Sequence, residues 1–126
     1  MYRLGVTREF VAQHRLVGGD FGRENGWHSH HYRLEAVFEG EALDRHGFLV
    51  DIDRVGESLD GLIDRYRDRT LNDLPEFEGL NPSLEHFARI LAERLAQSVD
   101  DPRIAGVRVV LWEDDAAWAS WERPAR

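Results

Sequence analysis

Alternation of apolar and polar residues dominates the two ends of the chain, and helical spacing dominates the middle. Tyr2 to Leu16 and Trp27 to Glu39 are rich in aromatic and β-branched residues, which predicts two strands, with the Gly-rich stretch Val17 to Gly26 as a loop between them. After Gly47-Phe48-Leu49-Val50-Asp51, apolar residues recur at Val55, Leu59, Leu62, Ile63 and Tyr66, the spacing of one buried helix face. Asp53 is the expected N-cap, and the helix should fray near Asp68. A second helix is expected to open at Asn81-Pro82 and to carry Leu84, Phe87, Ala88, Leu91 and Leu95 on one face, ending around Val99 to Pro102. Gly106 to Glu113 and Ala117 to Glu122 read as a closing hairpin turning at Asp114-Asp115.

The order strand, strand, helix, helix, strand, strand predicts an α+β domain, ββααββ, in which two helices cover one face of a four-stranded antiparallel sheet. With 126 residues, 42% of them hydrophobic and no linker or repeat, residues 1–126 are expected to form one domain. Such a sheet leaves two edges, which makes pairing with further copies physically reasonable.

Two residues apart on a strand share a face, so His28 and His30 point one way while Ser29 and His31 point the other. His14 closes the segment Phe10-Val11-Ala12-Gln13-His14, and antiparallel pairing with the strand beginning at Trp27 would deliver a third imidazole. Three neutral imidazoles with an open fourth position are the donor set of a catalytic zinc. On spacing alone, the same histidines suit ordinary surface or hydrogen-bonded core roles. His46, in a turn, and His86, on the second helix, are expected to be ordinary polar residues.

Composition removes several chemistries. A net charge of −8 argues against general nucleic-acid binding, which needs a basic surface. All 16 basic residues are Arg, so Schiff-base chemistry through lysine is excluded, and the absence of Cys excludes disulfides, thiolate ligands and thiol nucleophiles. Apolar runs are too short to span a membrane and the N-terminus lacks a signal-like apolar core, which makes the cytoplasm the expected location.

The segments Phe10 to His14, His28 to Tyr32, Gly47 to Asp51, Leu71-Asn72, Asn81 to Glu85 and Trp112-Glu113 fall in the order and spacing of the 6-pyruvoyl-tetrahydropterin synthase / 6-carboxy-tetrahydropterin synthase family, which the chain resembles over nearly its whole length. The resemblance implies a tunnelling fold, a homohexamer built from trimers with active sites between subunits, and zinc on His14, His28 and His30. It also implies that Glu113 anchors the pterin ring, for which a carboxylate accepting two hydrogen bonds from an amino-pyrimidinone edge is suited. Glu85, in the first turn of the second helix, is adequately explained by the helix dipole.

Two departures concern catalysis. Where the usual member has a catalytic Cys, four residues before the His-x-His pair, this chain has Glu24, which also suits a merely solvated loop acid. A glutamate at this position resembles a subgroup associated with cleaving dihydroneopterin-type substrates for folate synthesis, with Glu24 as the acid–base group. The usual Asp-His of the relay falls on Arg67 and Asp68, so Asp68 is the candidate proton carrier; the alternatives are that Arg67 and Arg69 hold an anionic substrate tail, or that all three are ordinary helix-end charges. The resulting expectation is a zinc-dependent pterin lyase converting a dihydroneopterin-type substrate to a 6-substituted dihydropterin. The alternatives are a 6-pyruvoyl- or 6-carboxy-tetrahydropterin synthase acting on dihydroneopterin triphosphate, or a zinc- and pterin-binding protein without catalysis.

Overall fold

The computed structural model describes residues 1–124. The alternating segments form β1 (Tyr2–His14), β2 (His28–Gly40), β3 (Gly106–Trp112) and β4 (Trp118–Pro124), joined in the order β1-β2-β3-β4 with every pair antiparallel. Between β2 and β3 lie α1 (Ile52–Asp64) and α2 (Leu84–Gln97). The expected α+β arrangement is therefore present, with α1 packed on β1 and α2 on β3 and β4.

Alternation decides which strand residues meet the helices. Tyr32, Leu34, Ala36 and Phe38 of β2 and Val107, Val109 and Leu111 of β3 are buried, as are Leu59 and Ile63 of α1 and Leu91 and Leu95 of α2. Burying each such side chain contributes about 1.5–3 kcal/mol, so this shared face carries most of the fold's stability. Phe87 is its aromatic hub, with ring centroids 6.0 Å from Phe10, 5.2 Å from Tyr32, 5.1 Å from Tyr66 and 5.6 Å from Phe77. His28 and His30 continue the same face of β2 past the aromatic layer, so His30 stands on Tyr32 at 5.7 Å.

Both helix starts differ from the sequence expectation. Asp51, not Asp53, caps α1: its backbone is extended and its carboxylate accepts from the amides of Asp53 and Arg54. Ser83, not Asn81, caps α2, with its hydroxyl accepting from the His86 amide at 3.2 Å. Pro82 consequently lies outside the helix. Asn81 is committed elsewhere, because its side-chain oxygen accepts from the Val17 amide at 2.9 Å.

One sheet edge is partly covered. The segment after α1 runs along the outside of β1, where the Asp68 amide donates to Val11 at 2.7 Å, the Gln13 amide donates to Arg69 at 2.9 Å, and Thr70 pairs with Gln13 in parallel. Asp68 adopts φ +60°, a left-handed conformation open to Asp more readily than to most residues, and this lets the chain turn onto the edge. Among the described residues, no helix is long and apolar enough to cross a membrane.

Candidate metal centre

The register of β1 and β2 builds the site. His14, the last residue of β1, pairs with His28, the first of β2, and Ala12 pairs with His30, so three imidazoles meet at one corner of the buried face. Their ring centroids are 4.6 Å (His14–His28), 4.9 Å (His14–His30) and 4.8 Å (His28–His30) apart, with planes at 70–89° to one another. Three rings so oriented converge by their edges instead of stacking.

Hydrogen bonds select which nitrogens converge. Nδ1 of His14 donates to the Pro82 carbonyl at 2.7 Å and Nδ1 of His28 donates to the Gly26 carbonyl at 2.8 Å. A proton on Nδ1 leaves a lone pair on Nε2, the tautomer that carbonyl partners enforce on metal-binding histidines. The Nε2 atoms of His28 and His30 are 3.1 Å apart. Nε2 of His14 is buried and has no hydrogen-bond partner, in a residue only 3% exposed. Burial, above all, also holds the His14 pKa below that of an ordinary imidazole, which favours the neutral form.

Glu24 adds a carboxylate. It lies in a short 3₁₀ turn, Gly22–Asn25, and one potential ligand atom from each of His14, Glu24, His28 and His30 falls within 4.8 Å of all the others. Its Oε1 is 3.8 Å from His28 Nε2 and 3.9 Å from His30 Nε2. Nitrogen donors at about 2.0–2.1 Å from a tetrahedral zinc would stand about 3.3–3.4 Å from one another, so the donor set and its spacing fit such an ion. The orphaned Nε2 of His14 supports the same fit, since a buried acceptor without a partner is costly.

Three asparagines hold the loop that carries Glu24. Asn72 both accepts from and donates to the Arg15 backbone, at 3.0 and 3.1 Å. Asn81 holds Val17, and Asn25 donates to the carbonyls of Leu16 and Gly19 while accepting from the Phe21 amide. The Leu16 amide then donates to the Glu24 carbonyl at 2.7 Å. These clamps, and the carbonyls of Pro82 and Gly26, were absent from the site read in the sequence. Asn72 and Asn81 stood in the matching segments, but a carbonyl that orients a ring leaves no side-chain signal.

Glu113 follows β3 directly, and its carboxylate is 3.6 Å from His30 Nε2 although it lies outside the four-residue cluster. Burial pushes its carboxyl pKa up; His30 opposes the shift, and the carboxylates of Glu24, Asp114 and Glu85 add to it. Asp68 is not brought to this centre within the chain: it is exposed on the outer edge of β1. Arg67 pairs with Asp64 at 2.9 Å. His31, on the other face of β2, is exposed and lies 3.6 Å from Glu9, while His46 sits in the Asp44 turn and His86 bonds the Asn81 carbonyl.

Three histidines converging on one face of a four-stranded antiparallel sheet packed against two helices define an α+β protein with a candidate metal site. Residues 3–124 match the family described as 6-pyruvoyl tetrahydropterin synthase, and the chain belongs to that family. A Pyrococcus abyssi protein provisionally named 6-carboxy-5,6,7,8-tetrahydropterin synthase is 24% identical, with 93% of this chain and 87% of that protein covered. Among solved structures, the Caenorhabditis elegans 6-pyruvoyl tetrahydropterin synthase superposes with a TM-score of 0.86 at 21% identity, covering 97% of this chain and 95% of that one. A Plasmodium vivax 6-pyruvoyltetrahydropterin synthase, in a form with a catalytic glutamate replaced by alanine, superposes with a TM-score of 0.81 at 13% identity, covering 98% of each chain. The fold is accordingly the tunnelling fold of these structures.

Proposed function

We propose that the protein is a zinc-dependent pterin lyase that converts a dihydroneopterin-type substrate to a 6-substituted dihydropterin. The observation that carries this reading is the convergence of three imidazoles and the Glu24 carboxylate in a chain of this family. His14, His28 and His30 would hold the ion, which when bound supplies Lewis acidity toward the substrate's side-chain hydroxyls.

The chain's own residues supply the rest. Glu113, half-buried beside His30, accepts the paired N–H groups of the pterin ring and so fixes the side chain toward the histidines. Glu24 takes the proton that starts carbon–carbon cleavage, in which the bond in the side chain breaks, a small aldehyde leaves and the pterin fragment regains a proton. A glutamate is described as catalytic in the Plasmodium vivax relative, which supports a carboxylate in this role where no thiol exists. Asp68 would act as a second proton carrier only from a neighbouring subunit, since its own chain directs it to the sheet edge. We assign the assembly as a homohexamer formed by pairing of sheet edges, with β4 as the outermost strand of the sheet.

The names of the family and of the Pyrococcus relative favour a second reading, in which dihydroneopterin triphosphate is converted to a 6-pyruvoyl or 6-carboxy tetrahydropterin. The exposed position of Asp68 favours a third, a zinc- and pterin-binding protein without turnover. Incubating zinc-loaded protein with dihydroneopterin, its monophosphate and its triphosphate, with products identified by mass spectrometry, separates the three. The lyase reading expects a shortened dihydropterin and an aldehyde, with the rate sharply reduced in Glu24→Gln. Tight pterin binding with no product from any substrate would replace it by the third reading.

A further inference from the structure

We propose that Glu24 is an exchangeable fourth ligand, closing the His14–His28–His30 site with the protein's own carboxylate until substrate displaces it. This rests on the zinc reading above and adds a resting state to it. The two carboxylates near the histidines are placed differently. Glu113 approaches His30 alone, whereas Glu24 belongs to the cluster in which every donor atom lies within 4.8 Å of every other. At 3.8 and 3.9 Å from two imidazole nitrogens, its oxygen is too far for direct hydrogen bonds and close enough to share an ion with them. Among the described residues, that carboxylate accepts no hydrogen bond, and the groups facing it are the imidazoles of His28 and His30.

The backbone of Glu24 is fixed and its side chain is free to leave. The Leu16 amide and the Asn25 clamps hold the turn in place. The Glu24 side chain is 40% exposed, against 3% for His14, so it can rotate into solvent without opening the loop, while the histidines stay. A ligated carboxylate has its lone pairs engaged and is a poor base. Substrate oxygens that take its place would release it as a free carboxylate beside the reacting side chain, so the base becomes available only when substrate has arrived. No net proton is gained or lost in the exchange, because the carboxylate departs as the anion it was.

Metal affinity and cobalt absorption test this without relying on turnover. Apo protein, Glu24→Gln and His14→Ala would be titrated with Zn²⁺ against a chromophoric chelator, and the Co²⁺ forms examined by visible absorption with and without neopterin. Glu24→Gln should bind Zn²⁺ about tenfold or more weakly than wild type while its apo form keeps wild-type thermal stability. Its Co²⁺ spectrum should differ from wild type before neopterin is added, and the wild-type spectrum should change on adding neopterin. If His14→Ala loses Zn²⁺ but Glu24→Gln matches wild type within twofold and shares its Co²⁺ spectrum, the fourth-ligand assignment is wrong and the zinc site stands. If wild type itself fails to hold Zn²⁺, both fall.

Discussion

His14 Nδ1 and the Pro82 carbonyl, 68 residues apart in sequence, meet at 2.7 Å in the buried corner between β1 and the approach to α2. The bond turns the imidazole so that Nε2 faces His28 and His30, and it leaves that nitrogen without a partner of its own. A site prepared in this way should fill. Elemental analysis should find close to one zinc per chain, and alanine at His14, His28 or His30 should cost most of that zinc on chelator treatment, because each change removes one of the four converging donors. His46→Ala, whose ring lies in the Asp44 turn beside Arg45, should keep full metal. His86 is a weaker control than His46, since its ring bonds the carbonyl of Asn81, one residue from Pro82.

Asn81 links that same segment to the loop over the site. Its side-chain oxygen is the acceptor for the Val17 amide, and Asn81→Ala removes it, at a cost of about 1–2 kcal/mol. The loop beyond Val17 carries Glu24 and Gly26, so the loss should weaken metal binding as well as folding. Thermal denaturation with excess zinc and with chelator checks this. The gap between variant and wild type should be wider with zinc, since the stabilisation a ligand gives the folded state grows with the logarithm of its affinity. An equal gap in both conditions would make Asn81 a fold residue only.

How much of this was legible in the sequence depends on the range of the interaction. The period-2 pattern of β1 and β2 gave both the strands and the facing of His28 with His30, and antiparallel pairing brought in His14. The helix faces at Leu59, Ile63, Leu91 and Leu95 followed from 3.6-residue spacing. The caps of both helices are not legible locally, because several candidate side chains lie within three residues and tertiary bonds decide among them: Asn81 is drawn to Val17, and Ser83 is left to cap. The excursion of residues 68–70 along β1 has no local signature, and it determines where Asp68 goes. Glu24 and Glu113 were named from resemblance, and no periodicity would have placed either beside His30.

The proposed role of Glu113 in ring recognition can be tested apart from metal binding. Its carboxylate stands near His30 but outside the four-residue cluster, so Glu113→Ala should leave zinc content unchanged. Losing both acceptors of a bidentate, charge-assisted pair should weaken neopterin binding by about 1.5–3 kcal/mol, roughly ten- to a hundredfold. Quenching of pterin fluorescence on titration measures it. Loss of zinc together with pterin affinity would contradict the proposed division of labour between Glu113 and Glu24.

Acid sensitivity should originate away from the histidine cluster, at Glu76. Its carboxylate accepts from Arg65 Nε at 2.6 Å and Nη2 at 2.7 Å and from the Tyr66 hydroxyl at 2.8 Å, with Arg94 Nη2 at 3.1 Å. The Arg65 hydrogen bonds come first among the causes that hold its pKa at about 2, against an ordinary 4.5, and the side chain is 10% exposed. A carboxyl whose pKa is depressed by folding contributes stability that is fully present above its unfolded value and is lost as pH falls toward the folded value. The contribution here is on the order of 2–3 kcal/mol, declining from about pH 4.5 to about pH 2. Glu76→Gln should remove that part of the acid dependence and lower stability at neutral pH by a similar amount. Urea denaturation of the chelator-treated protein across this window isolates the effect from zinc release. Parallel acid profiles for wild type and variant would show that the Arg65–Glu76–Arg94 network does not govern acid unfolding.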